Sequence, residues 1–501
     1  MDISSATIYA DVDPLVILAP RMGRTLCSGS QELGGSRECI GSISGMIGTL
    51  SVRIRVAGGP QSRPQPAAFF ARTDRSDWAL CFFSLTMLLS GTWTAQKIGT
   101  TAVVSLFLLP WVWIAARNPN ATIGRLLSNW PVLALPLFAL LSTAWSDYPL
   151  GTLRGGTQYL LTAIIGVLAG SCVKPRTMLG ALFWALAFVT ALGLRIPQNA
   201  VSSGEAVLAG LFGSKNYLGY SYGLLLLTAT IVGFDRSRRG MVRLIAFAVA
   251  AVSPVLLVRS NSTGALVCSV AAMAVTCVLA FVVRFAPAVR FAFLLLMAFL
   301  VVLFLIIWLY VGDFAALLGF LGKDVTLTGR MLMWEWAYRA IEQRPMLGTA
   351  FGGFWVPGNW GAEEIWFQGA RAKWGYHFHN TFLQVAVDLG YVGLLVLLAT
   401  LAAISARIGS CLLFSRPDAE QMFAIAVFLF HLFRLPIEVD LFWQFQIPTV
   451  LLSMIWVYLR LPGRRRSGEP RASVYLRRLP SRLGRTHTVK SFNYPQFSPP
   501  R

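Results

Sequence analysis

The sequence predicts an all-α, polytopic integral membrane protein of about twelve transmembrane helices with one large outward loop. Composition is the first reason: 55% of the 501 residues are hydrophobic, only 13% are charged, and the mean hydropathy is +0.61. Soluble domains run at about 45–50% apolar and roughly 25% charged. The second is pattern, because apolar runs close to the ~20 residues needed to cross a bilayer recur along the chain. The third is that Lys and Arg concentrate in alternate connections. Length alone would suggest about three soluble domains; the apolar runs overrule it.

In chain order, residues 1–75 are rich in Gly, Ser and Arg, lack Trp, and contain no signal-peptide apolar core flanked by a basic start and a small-residue cleavage site. They are expected to be disordered, weakly ordered, or an over-long start, since Met22, Met46 and Met87 lie downstream. The transmembrane domain is expected over 76–460. Its apolar spans begin near Trp78, Gly99, Trp130, Tyr159, Met178, Tyr217, Leu244, Gly264, Phe291, Thr381, Gln421 and Gln446. One set of connections carries Arg117 and Arg125, Lys174 and Arg176, "DRSRRGMVR" from Asp235, Arg284 and Arg290, and Arg407 and Arg416. The opposite set holds about half as many, so an even helix count puts both termini on the basic, inner side.

The connection 313–380 then faces outward, and it is too long for a plain hairpin. Its "GRMLMWEWAYRAIEQRP" has apolar residues at 332, 336, 340 and 341, a helical rhythm stopped by Pro345. Trp334, Trp336 and Tyr338 would suit a membrane interface. "LGTAFGGFWVPGNWG" is a Gly-rich aromatic loop without the Gly-Lys-Ser/Thr ending of a nucleotide-binding loop.

The net charge of +21 does not indicate nucleic acid. The tail 461–501 alone holds ten Lys or Arg against one acid, Glu469, which marks a cytoplasmic, lipid-facing tail. Seven scattered cysteines, none in C-x-x-C spacing, support neither a disulfide framework nor a zinc site. No metal site or cofactor is expected.

Chemistry is expected where basic residues run against the topological trend, at the outward ends. These are Lys97, Arg154, Arg195, Lys215, Arg259 and Arg434, with Lys323, Arg330, Arg339, Arg344, Arg371 and Lys373 in the loop. Six acids share that loop, so part of this charge is paired. An anionic ligand at the outer interface would account for Arg154 and Lys215. Two of the four histidines, His377 and His379, sit where a lipid-fit helix begins. Either they cap that helix or one of them handles protons, for which an imidazole with a reference pKa near 6.5 is suited. Asp388, nine residues into the helix, must face a polar cavity or be neutralised. His431, Arg434, Glu438 and Asp440 form an outward cluster whose role is not separable from helix capping.

"HNTFLQVAVDLGYVG" resembles the His-Asn, nine residues, Gly, two residues, Gly pattern of the bacterial O-antigen ligase and polysaccharide polymerase superfamily, matched by His379, Asn380, Gly390 and Gly393. "STAWSDYPLGTLRGG" looks like that family's outer loop ending in Arg154, and "FGSKNYLG" like its Lys-Asn turn, giving Lys215 and Asn216. "TGRMLMWEWAYRAIEQRPMLGTAFGGF" looks like its Gly-Arg loop, giving Arg330, Trp334, Pro345 and Gly348. The likeness runs from about Trp78 to Arg460 and is nearest to exopolysaccharide-production polymerases. One departure is "VRSNSTGAL", where many relatives have Ser-Arg-Thr; the base is absent at Asn261 to Thr263 unless Arg259 replaces it.

The resemblance implies a metal-independent glycosyltransferase of the bacterial inner membrane, N-in and C-in, with its site in the periplasm. The donor would be a glycan on undecaprenyl pyrophosphate and the acceptor a sugar hydroxyl. His379 and Arg330 would be catalytic; Arg154, Lys215, Asn216, Asn380 and Trp334 would bind substrate; His377 would be structural. Fixed guanidinium forks suit the charge that grows on the leaving pyrophosphate. Repeat-unit polymerisation is the first expectation and ligation of finished glycan to lipid A–core the alternative. A transporter or flippase of lipid-linked oligosaccharide is a rival from another class, and a non-catalytic scaffold a third. A chain-length regulator and export machinery are the protein partners such an activity would imply.

Overall fold

The computed structural model describes residues 30–33, 36–45, 48–56, 74–196, 199–202, 205–311, 330–369 and 377–460. Arg371, Lys373, Lys323 and the tail 461–501 lie outside them. The chain divides into two units, 1–65 with 465–501, and 66–464. In the first, strands β1 (Ser30–Leu33), β2 (Ser36–Gly45) and β3 (Gly48–Val56) form an antiparallel sheet in that order, with Cys39 opposite Ser30 and Ile54.

The second unit is helical apart from one small hairpin of β4 (Asn199–Ser202) and β5 (Glu205–Leu208). It opens with α1 (Asp74–Leu89), α2 (Gly91–Ile98), α3 (Thr100–Arg117), α4 (Pro119–Ser128), α5 (Trp130–Leu141), α6 (Pro149–Cys172) and α7 (Pro175–Arg195). There follow α8 (Lys215–Phe234), α9 (Gly240–Arg259), α10 (Thr263–Val282) and α11 (Pro287–Val311). The outward segment contributes α12 (Arg330–Gln343) and α13 (Trp360–Gly369), and the chain ends with α14 (Thr381–Phe414), α15 (Ala419–Arg434) and α16 (Ile447–Tyr458).

Every expected span start falls in one of these helices or at its cap, but the lengths differ. Among the described residues seven helices are long and apolar enough to cross a bilayer, or nine if each of two bent pairs is one span. The bent pairs are α1 with α2, at 83°, and α4 with α5, at 93°. The spans expected near Gln421 and Gln446 are shorter, since Ala419–Arg434 has 16 residues and Ile447–Tyr458 has 12, whereas α11 at the span expected near Phe291 has 25. At 1.5 Å per residue the two shorter ones reach only about 18–24 Å, so flanking residues must complete any crossing.

Of the seven long apolar helices α8 is the most enclosed, while α3 and α9 turn apolar side chains such as Val112, Val255 and Val258 outward. This is the pattern of a bundle whose rim faces lipid. Small residues let α8 sit close to its neighbours: a Cβ at Gly219 would lie 2.7 Å from the Ser262 Cβ, and one at Gly223 2.2 Å from the Ser269 Oγ. That approach brings the starts of α8 and α10 together.

The basic connections meet one another. Arg176 donates to the Ser237 carbonyl and Arg238 to the Arg176 carbonyl (2.6 Å), Arg290 holds the carbonyls of Leu412 and Ser415, and Arg460 reaches Ser128. The other helix ends gather around the outward segment, where Trp145 donates to the Leu347 carbonyl, Thr152 to that of Phe351, and Arg344 pairs with Asp147 at 2.8 Å.

The outward segment has its own small core. Trp336, Ala340 and Ile341 of α12 pack with Phe354, Ile365, Trp366 and Phe378. Trp336 is therefore buried, edge-on to Trp360 at 4.9 Å, whereas Tyr338 is exposed. Helix α14 breaks at Gly390, whose φ is 64° and ψ −168°. The Val387 carbonyl and the Tyr391 N–H, natural partners in an unbroken helix, are diverted: Thr349 donates to the former (2.9 Å) and the latter donates to Pro345 (2.7 Å). The loop fits only because both facing residues lack side chains. A Cβ on Gly348 would lie 2.4 Å from the Val387 oxygen, and one on Gly390 2.2 Å from the Met346 carbonyl carbon.

Candidate functional site

The chain enters α14 through Phe378, His379 and Asn380. Asn380 caps the helix, its side-chain oxygen accepting from the N–H groups of Phe382 (3.0 Å) and Leu383 (3.2 Å). Thr381 fastens this start to the turn between α15 and α16: its N–H donates to the Leu435 carbonyl and its hydroxyl to the Glu438 carbonyl, both at 2.8 Å. His379 therefore stands against Glu438.

Glu438 is the hub. Its Oε1 accepts from Asn216 Nδ2 at 2.7 Å and from an Arg330 guanidinium nitrogen at 3.0 Å, and its Oε2 lies 3.2 Å from His379 Nδ1. A second Arg330 nitrogen donates to the Ile437 carbonyl at 2.7 Å, so the fork grips the turn at two points. Burial pushes the Glu438 carboxyl up, but the His379 hydrogen bond and the charge of Arg434 outweigh it and hold it down at about 2. With Glu438 ionised, His379 Nδ1 must carry the proton that joins them. In the neutral form of the ring, that leaves the lone pair on Nε2.

His377 is half-buried beside it, ring centroids 4.1 Å apart, and its Nδ1 accepts the His379 N–H at 3.1 Å. Burial first, then the neighbouring His379 ring and the charge of Arg330, take its imidazole down to about 3 against the pull of Glu438. His377 is neutral at ordinary pH. Below the hub, Arg434 and Asp440 form a buried pair at 2.7 Å.

His377, His379, Glu438 and Asn216 line a cavity of about 760 Å3. Its lining also includes the apolar Met87 and Leu88 of α1, Val103, Val104 and Phe107 of α3, and Phe212. The cavity thus offers both groups suited to charge and hydroxyls and groups suited to hydrocarbon.

Of the residues singled out by sequence, the structure joins His379, Arg330 and Asn216 through Glu438. Trp334 is adjacent, its indole N–H donating to the Phe378 carbonyl at 2.7 Å. Asn380 is spent as a cap. Arg154, exposed near the start of α6, and Lys215, at the start of α8, do not line the cavity. Arg259 lines a separate 210 Å3 cavity with Tyr222 and Leu208, while Ser262 lies 3.5 Å from Asn216 Oδ1. Arg339 pairs with Glu335 and Arg344 with Asp147. Glu438 stood out in the sequence only as one member of an outward cluster with no separable role, because "RLPIEVDLF" offers just an acid and its partners are 59, 108 and 222 residues away.

His377, His379 and Glu438 also present one donor atom each within 4.8 Å of one another, close enough for a three-ligand metal site. Two of those groups already have other work, since His377 Nδ1 holds the His379 amide and Glu438 carries Arg330.

The bundle is that of a multi-pass membrane protein, and over part of its length the chain is similar to the O-antigen ligase family. Residues 246–398, which include Arg330 and His379, match the family model described as O-antigen ligase. Over 380 residues, 74% of this chain and 86% of the relative, the protein is 26% identical to the exopolysaccharide production protein ExoQ of Rhizobium meliloti (strain 1021).

Proposed function

We propose that this protein is a glycosyltransferase of the bacterial inner membrane that polymerises exopolysaccharide or O-antigen repeat units at the periplasmic face. Its donor is a glycan on undecaprenyl pyrophosphate and it needs no metal. The observation that carries this reading is the pair of His379 and Glu438 lining a partly apolar cavity, with Arg330 bound to Glu438 though not itself a lining residue. The apolar lining residues accommodate the first isoprene units and the polar ones the reacting groups. An acceptor sugar hydroxyl gives its proton to His379 Nε2 as its oxygen bonds the anomeric carbon of the donor. The anomeric C–O bond breaks, and its electron pair leaves on the pyrophosphate oxygen. Glu438 fixes the His379 tautomer and stabilises the imidazolium that forms. Arg330, already bound to Glu438, supplies permanent positive charge, and Arg154 and Lys215 attract the diphosphate head to the rim.

Ligation of finished glycan to lipid A–core is the second reading, favoured by the description of the matching family. A carrier is less well supported, since transporter sites usually lie near the membrane midplane and this cluster lies at helix ends. The deciding experiment is the lipid profile of a null strain. Single lipid-linked repeats accumulate if the protein polymerises, whereas long lipid-linked chains without a capped acceptor accumulate if it ligates. A normal profile would overturn both.

A further inference from the structure

Asp388 is fully buried in α14, two residues before the break, and is not part of the chemistry above. Its Oδ2 accepts the Gly352 N–H at 3.0 Å and its Oδ1 accepts from Gln384 Nε2 at 3.1 Å. Gln384, also fully buried, turns its Oε1 to the Phe378 N–H at 3.2 Å. The Phe378 carbonyl in turn accepts from Trp334, and the next N–H, that of His379, goes to His377. Three consecutive backbone polar groups leading into His379 are thus tied.

The reason for such restraint lies in His379 itself, whose φ is 50°. A non-glycine residue in the left-handed region is uncommon and persists only when its surroundings over-determine it. The direction of the relay is fixed at one end. Gly352 and Gln384 both offer donors to Asp388, so residue 388 must be an acceptor twice. That orients the Gln384 amide with its oxygen toward Phe378.

We propose that Asp388 and Gln384 are positioning residues for His379: the carboxylate sets the Gln384 amide, the amide holds the Phe378 peptide, and His379 is thereby kept in its left-handed conformation against Glu438. Through Gly352 the same carboxylate couples the Thr349–Phe354 loop to the site. The inference rests on the reading of His379 as the base.

Asp388→Asn breaks the pattern, because an amide accepts once and donates toward Gln384. Gln384→Glu places two carboxylates in contact. The double swap D388N/Q384E restores every contact at unchanged net charge. The amide now at position 388 accepts from Gly352 and donates to the carboxylate now at position 384, which accepts from Phe378. The test uses the full chain in lipid nanodiscs, with kcat and KM for transfer and amide exchange over 377–383. D388N is expected to lower kcat roughly 10- to 100-fold with KM within about threefold, since small misplacements of a base are costly. The Phe378 amide exchanges at least about tenfold faster, and the double variant recovers both to within about threefold. Should D388N not fold, Q384M, which keeps the Gly352 contact, shows the same acceleration at Phe378.

Unchanged exchange at Phe378, or a double variant no better than D388N, overturns the relay. So does a uniform acceleration along all of α14 with a matching loss of Tm, which is a purely structural effect. Because exchange is read without turnover, a full relay effect combined with a fully active His379→Ala removes the base assignment and leaves the relay standing.

Discussion

Replacing Glu438 by Gln changes almost no volume, yet the hydrogen bonding permits one outcome. Asn216 and Arg330 both donate to Oε1, at 2.7 and 3.0 Å, and His379 Nδ1 faces Oε2 at 3.2 Å. If the amide oxygen stays with Asn216 and Arg330, the NH2 group faces Nδ1, which must then accept. The imidazole proton moves to Nε2, the atom that has to receive the acceptor's proton. If the amide flips, it meets two donors with a donor, a worse arrangement. The variant therefore selects the wrong tautomer. General-base catalysis contributes about 10²–10⁴-fold, or about 3–5 kcal/mol of barrier, and that is the expected fall in kcat. The assay is transfer by the full chain in nanodiscs with a lipid-linked repeat, product length being read on gels. E438Q and H379A act on one unit, so the double variant is expected to match the worse single one. A folded E438Q with kcat within about fivefold of the parent refutes the tautomer argument.

Other substitutions probe separate parts of the site. His379→Ala should lose about 10²–10⁴-fold in kcat, checked by polysaccharide yield and chain length in a complemented null strain; unchanged glycan removes the base assignment. Arg330→Lys keeps charge but cannot grip Ile437 and Glu438 together, so activity should fall at least about tenfold, whereas full activity means Arg330 only steers. Gly390→Ala forces a Cβ onto the Met346 backbone at positive φ, and Tm in detergent should drop by an amount equivalent to about 3 kcal/mol or more. Acid should destabilise the fold in two overlapping windows. His377 is held neutral down to about 3 against an ordinary 6.5, so the unfolded chain binds more protons between those values and stability falls as pH drops through them. Glu438, held at about 2 against 4.5, adds a loss between 4.5 and 2. His377→Asn, which can still accept the His379 N–H, should flatten the upper window in thermal scans against pH.

Local signals were legible in the sequence. Apolar runs located the helices, the "HNTF" boundary placed His379 at the mouth of α14, and the rhythm through Trp336, Ala340 and Ile341 marked α12 and its buried face. The bends at Ser90 and Asn129 were not legible, because apolar composition continues through them and hydropathy carries no direction. Glu438 was hidden for another reason. Its importance arises from donors on α8, α12 and the start of α14, and no local pattern encodes a meeting across 222 residues. The break at Gly390 was likewise invisible, since a glycine in an apolar run reads as ordinary helix until its opposing loop is in place.

The wiring of Glu438 has a consequence for biogenesis. Asn216 enters the membrane region with the eighth helix, Arg330 and His379 follow, and the carboxylate that unites them arrives only after the fifteenth. A nascent chain halted anywhere earlier holds an imidazole with no partner to set its proton and a guanidinium with no seat. The cluster is thus completed in a single late step, when the turn after the fifteenth helix is in place.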